Sequence, residues 1–140
     1  MKRLFGGISV VAIMLVCLTG CGKSSGADLK CTGTIDGNET TVKATLSSDK
    51  VTKVVMESKT VAESEEEAKQ GVAMINGIGS LNPDSGITMT AKADGKNVTM
   101  TMTMDVTKMS SEDLENNLET TDLTKDGFVK AMEEQGLTCK

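Results

Sequence analysis

Histidine, tryptophan and tyrosine are absent from this 140-residue chain, and phenylalanine occurs only twice. Without histidine there is no Ser–His or Cys–His pair to activate a nucleophile, and no imidazole to ligate zinc or haem. Without tyrosine and tryptophan there is no aromatic platform on which a base or a sugar ring stacks. Positive charge is scarce too: 15 Lys and Arg stand against 20 Asp and Glu, a formal net charge of −5. An acidic chain without stacking residues is a poor nucleic-acid binder. Glycoside hydrolysis by paired carboxylates needs an aromatic-lined cleft that this composition cannot build, and no SxxK motif serves Ser–Lys catalysis. Gly77-Ile78-Gly79 has Asn82 where a dinucleotide fingerprint requires a third glycine. The expectation is a protein that is not an enzyme and carries no cofactor.

What is present begins with an address. Met1-Lys2-Arg3 supplies a positive start, and Leu4 to Leu18 is an apolar run interrupted by Gly6, Gly7 and Ser9. That length suits a secretory signal better than a membrane span. It ends in Leu18-Thr19-Gly20-Cys21, which resembles the bacterial lipobox. The resemblance implies cleavage between Gly20 and Cys21 and diacylglycerol on the Cys21 thiol. Two or more acyl chains, at about 0.8 kcal/mol per buried CH₂, anchor a protein stably. Loss of residues 1–20 leaves 13 basic against 20 acidic residues, so net charge alone would push the domain away from an anionic bilayer. The lipid would hold it, on the extracytoplasmic face of the cell membrane. Gly22 is not the Asp that retains lipoproteins at an inner membrane, so an outer membrane is an alternative in a two-membraned organism.

Four cysteines remain to be placed. Cys17 leaves with the signal and Cys21 carries lipid. Cys31 and Cys139 then stand near the two ends of the mature chain, in a compartment that permits disulfides. The expectation is a structural disulfide, which would bring the termini side by side. Two free thiols, or a metal or redox pair, are the alternatives, although no CxxC spacing is present.

The organisation expected is residues 1–20 as signal peptide, 21–29 as lipidated Cys and Gly/Ser-rich tether, and 30–140 as one α+β domain. Strands are expected at Lys30–Ile35, Thr40–Leu46 and Lys50–Lys59, turning at Asp36-Gly37 and Ser47-Ser48-Asp49. Ser64 and Glu67 form a capping box before a helix whose Ala68, Val72 and Ile75 share one face. Two further strands, Gly86–Ala93 and Asn97–Val106, flank Asp94-Gly95. Ser110-Ser111-Glu112-Asp113 starts a short helix with Leu114 and Leu118 inward. Thr124 caps a last helix with Leu123 and Phe128 as its hydrophobic staple, and Gly136 ends it. The fold expected is α+β: a five-stranded, mostly antiparallel sheet built from hairpins, with two to three helices on one face.

Few residues suggest a ligand. Met100, Met102 and Met104 alternate with threonines, and thioethers select Cu(I). A core without aromatics needs the same flexible side chains to fill its gaps, and packing is the preferred reading. Glu63 and Glu65 to Glu67 fit no calcium loop and suit the positive end of a helix dipole. No metal site is expected.

The chain resembles the YehR-like family of small bacterial lipoproteins. The resemblance rests on the lipobox, Cys31-Thr32-Gly33-Thr34 entering a Thr/Val hairpin, Asp49-Lys50-Val51-Thr52-Lys53, Asp105-Val106-Thr107, and the ending from Phe128 to Cys139 with Glu133-Glu134-Gln135-Gly136-Leu137. It spans roughly Cys31 to Lys140 and implies an α+β lipoprotein with no catalytic residues to carry over. The expected role is a non-catalytic envelope interaction module, with an envelope protein as a possible partner. The alternative is a lipoprotein that binds a small ligand, lipid or Cu(I) on its Met-rich sheet face. The lipobox predicts that Cys21→Ser either releases the protein or leaves it as uncleaved precursor. Retention of a processed, membrane-bound mutant in a cell-fractionation blot would contradict it.

Overall fold

A computed structural model describes residues 28–79 and 83–140. The signal segment, Gly20, Cys21 and Gly22 to Ala27 lie outside these residues. The described chain forms six strands and three helices in the order β1 (Asp28–Ile35), β2 (Asn38–Ser47), β3 (Lys50–Val61), α1 (Glu65–Gly79), β4 (Ile87–Asp94), β5 (Asn97–Asp105), α2 (Ser111–Leu118), α3 (Lys125–Glu134) and β6 (Leu137–Cys139). The sheet runs β4-β5-β3-β2-β1-β6, and every neighbouring pair is antiparallel. The architecture is α+β as expected. The expected five strands are corrected to six: the chain after Gly136 adds a short edge strand instead of only returning to Cys139.

Turn chemistry builds the hairpins. Asp36 and Gly37 both take positive φ, at 50° and 81°, the two-residue geometry whose twist matches paired strands. Asn38 therefore already belongs to β2. Ser48 and Asp49 make an equivalent loop, at φ 50° and 61°. Helix starts follow the capping residues. The Ser110 hydroxyl accepts from the Asp113 amide while Asp113 accepts from the Ser110 amide. Thr124 accepts from the Gly127 amide. Before α1, Ser64 accepts from the Glu67 amide, but the Glu67 carboxylate reaches the Glu63 amide instead of that of Ser64.

All three helices serve one face of the sheet, because the strands turn most of their apolar residues the same way. Val42, Val54 and Met104 are fully buried beneath Leu118, Phe128 and Met132 of α2 and α3. Phe128 is the one aromatic ring of the described domain and sits at its centre. At the other end, α1 lies along β4, the outermost strand. The Asn76 side chain accepts from the Ala91 amide at 2.8 Å and donates to the Ala91 carbonyl at 3.2 Å. A helix side chain thus satisfies backbone groups that an edge strand would otherwise offer to another chain. Gly79 comes so close that an added Cβ would stand 2.1 Å from the Met89 carbonyl oxygen. The expected α1 stripe is therefore shallow. Ala68 is buried, while Val72 and Ile75 are only half-buried, since the helix rides the sheet's margin.

The opposite edge is closed by the termini. Cys31 and Cys139 stand directly opposite in the β1–β6 ladder and are joined by a disulfide, with Cα atoms 3.9 Å apart. The adjacent pair Lys30 and Lys140 exchange both backbone hydrogen bonds, at 3.1 and 2.9 Å. The cysteines thus occupy a non-hydrogen-bonded position, where antiparallel strands come closest. Gly33 permits the approach: an added Cβ would stand 2.8 Å from the Gly136 carbonyl oxygen. The bond spans 108 residues, and closing a loop of that size stabilises by about 4–5 kcal/mol in the chain-entropy account. Cys31→Ser should accordingly lower the melting temperature by roughly 20 °C under non-reducing conditions. Equal melting of mutant and wild type would contradict a stabilising disulfide.

Candidate functional site: the open face of the sheet

Since the helices occupy one face, the other carries the outward residues of all six strands. The register sets them in rows across the sheet. One row reads Thr138, Thr32, Thr41, Glu57, Thr101, Thr90 from β6 to β4. The next begins Lys140, Lys30, Lys43 and continues with Val55, Thr103 and Thr88. Neighbours in a row lie about 4.8 Å apart and successive rows about 7 Å apart. The first row is a ladder of hydroxyls interrupted by one carboxylate. The second opens with three ammonium groups side by side.

Charge is segregated between the two layers. By register the open face carries Lys30, Lys43, Lys53, Lys59, Lys92 and Lys140 against Asp28, Glu39, Glu57, Asp94 and Asp105. The helical layer is acidic: residues 110–135 hold eight Asp and Glu against two Lys, and residues 63–69 hold four Glu against one Lys. A net charge near −5 therefore conceals a mildly basic face backed by a strongly acidic one.

Two adjoining depressions mark the half of this face where β1 begins. One, of about 350 Å³, is lined by Lys30, Lys43, Thr45, Lys53 and Val55. The other, of about 450 Å³, is lined by Lys53, Thr88, Thr103, Asp105 and Lys108 among others. Asp105 is held in place by Thr107, whose amide and hydroxyl both donate to Oδ1, and Lys108 Nζ lies 3.8 Å from Oδ2. The Thr107 hydroxyl bond is the main reason that the Asp105 carboxyl sits below its ordinary value of 3.8, with Lys108 and Lys53 adding to the effect. The Asp105 carboxylate thus stays ionised at neutral pH. Thr124 acts on Asp122 in the same way, ahead of α3.

The structure joins Cys31 to Cys139 as expected, whereas Gly20 and Cys21 lie outside the described residues. The methionine stripe divides. Met104 is fully buried in the core; Met102 packs against it in part, and Met100 is half-exposed. Met56, Met102 and Met89 form a cross-strand row on the helix side. Among the described residues no group of three His, Cys, Asp or Glu side chains is placed to hold a metal, and no helix is long and apolar enough to cross a membrane. Sequence reasoning missed the lysine row, yet its signals were present. A two-residue turn at Asp36-Gly37 sets Lys30 opposite Lys43, and a Cys31–Cys139 bond sets Lys30 beside Lys140.

The lowered Asp105 value predicts the pH response of this corner. A carboxyl whose folded-state pKa is depressed contributes stability above its unfolded value, and loses it as pH falls through the folded one. Asp105→Asn should therefore lower the melting temperature at about pH 6, and the gap to wild type should narrow as the pH falls below the ordinary value of 3.8. A gap that is constant across that range would contradict the assignment.

No protein-family model matches the sequence, and no curated protein matches it. Solved structures do resemble the fold. The NMR structure of the E. coli YehR protein superposes with a TM-score of 0.66 at 17% identity, over 84% of this chain and 93% of that one. The NMR structure of a protein from Streptococcus pneumoniae TIGR4 gives 0.58 at 14% identity, over 100% of this chain and 96% of that one. At these identities the likeness is one of fold alone, and it supports a YehR-like fold for this chain.

Proposed function

We propose that this protein is a bacterial lipoprotein, anchored by diacylglycerol on Cys21 at the extracytoplasmic face of the membrane, and that its folded domain is a non-catalytic interaction module of the cell envelope. The observation that carries the reading is the uncovered sheet face. Six strands present a broad surface of threonine hydroxyls and lysine ammonium groups, with the acidic helices turned away from it. A broad polar face of this kind suits contact with another extended surface better than capture of a small molecule, whose sites are concave and mostly apolar. The Cys31–Cys139 bond suits an oxidising compartment. The signal-like start and the lipobox resemblance support the anchor.

The Met56–Met102–Met89 row is better read as packing than as a copper site. Met56 and Met102 both pack against the buried cluster around Phe128, as expected where flexible side chains fill a core that lacks aromatics.

A photo-crosslinking side chain tests the reading in the full-length chain in its native membranes. Placed at Thr101 on the open face, it should yield adducts at least about fivefold above those from position Lys130 on α3. Surface positions of this kind tolerate substitution within about 0.5 kcal/mol. Equally low yields at both positions would contradict an interaction through the open face.

A further inference from the structure

The lysine row has a feature that neither folding nor solubility requires. Lys30 sits between Lys43 on β2 and Lys140 on β6, so three like charges stand directly opposite one another on exposed side chains. Like charges in facing positions destabilise a sheet. Among the described residues none of the three forms an ion pair, and their row continues with Val55 and two threonines instead of an acid. Lys53, at the margin of the same depression, adds a fourth ammonium group. An acidic chain has thus placed four unpaired lysines together at one end of its open face.

That place is where the chain comes in from its N-terminus. Lys30 is the third residue of β1, and Asp28, which opens the strand, is seven residues from Cys21. Seven residues, even fully extended, reach about 25 Å at most. A tether of that length allows the lysine row to come within a Debye length, about 10 Å at 0.1 M salt, of any surface holding Cys21. Lysines in that zone are attracted to anionic headgroups, and acidic groups are repelled. The acidic helical layer lies on the far side of the sheet.

We propose that Lys30, Lys43, Lys53 and Lys140 form a docking surface for the anionic phospholipid headgroups of the bilayer that holds the protein's own anchor. The docked domain presents this end of its open sheet face to the membrane and its acidic helices outward. The proposal rests on the lipid-anchor reading and names the bilayer as the surface that the open face meets. The lipid supplies residence and the lysines supply orientation. The attraction is electrostatic, so it fails at high salt.

Amine footprinting of the full-length, processed protein in lipid nanodiscs tests this directly. Mass spectrometry first shows whether Cys21 carries diacylglycerol. The protein is then acetylated in discs of phosphatidylcholine alone and in discs with phosphatidylglycerol added. The expected result is a fall of about fivefold or more in the labelling rates of Lys30, Lys43, Lys53 and Lys140 in the anionic discs, reversed near 1 M salt. Lys125 and Lys130 on α3 should label equally in both. Equal rates at the four lysines, with Cys21 lipidated, would overturn the docking surface and leave the anchor standing. An unmodified Cys21 would overturn the anchor and the docking together. Protection by a soluble glycerol-phosphate polymer, with none from the anionic discs, would assign the lysines to a polyanion and overturn the membrane as their partner.

Discussion

The fold closes on one pairing, Cys31 of β1 against Cys139 of β6. Without it β6 is three residues long, at the rim of a sheet, with too few ladder bonds to hold an edge strand. The disulfide makes that short pairing permanent, and Gly33 leaves the space for it. With β6 in place, α3 is tied at both ends. Its N-terminus is held to β3 by the bonds from Val51 to Leu123 and from Lys125 to Asp49, and its C-terminus runs into the clasped strand. Phe128 and Met132 are thereby set over Val42 and Val54. One covalent bond at the edge thus fixes the position of the only aromatic ring in the described domain.

The same arrangement divides the molecule into two unlike surfaces. Most apolar strand positions face the helices, so the outward positions are free to be polar, and they are mainly threonine and lysine. The helices in turn carry the acids, which cap their starts and keep their outer faces wet. The charge asymmetry is a property of the layers, and net charge cannot report it. From composition, the mature chain is simply repelled by an anionic membrane. From the register, four of its lysines are collected on the sheet beside the tether, and the carboxylates of the helical layer are carried away from it.

Much of this was legible in the sequence because the signals were local. Asp36-Gly37 and Asp94-Gly95 mark hairpins, Ser110 and Thr124 mark helix starts, and the alternation of Val98 to Val106 marks a strand. The Cys31–Cys139 pairing followed from counting cysteines. β6 was not legible, because Leu137-Thr138-Cys139 is too short to show a period and is a strand only by virtue of its partner. The reach of α1 was overestimated for a related reason. Ala68, Val72 and Ile75 have helical spacing, but that spacing does not say that the helix lies at a sheet margin with Asn76 turned to the backbone of Ala91. The open face was hidden most deeply. Threonine at every second position reads as ordinary exposed strand, and its rows emerge only once six strands are set in register.

The account depends on the β1–β6 clasp being a persistent part of the native domain, and amide hydrogen exchange measures this most directly. In the oxidised protein the Lys140 and Lys30 amides, bonded to each other's carbonyls, should exchange as slowly as the central β2 and β3 amides. On reduction they should become fast while the β2–β3 ladder remains slow. A Lys140 amide that exchanges at the unfolded rate with the disulfide intact would contradict the clasp.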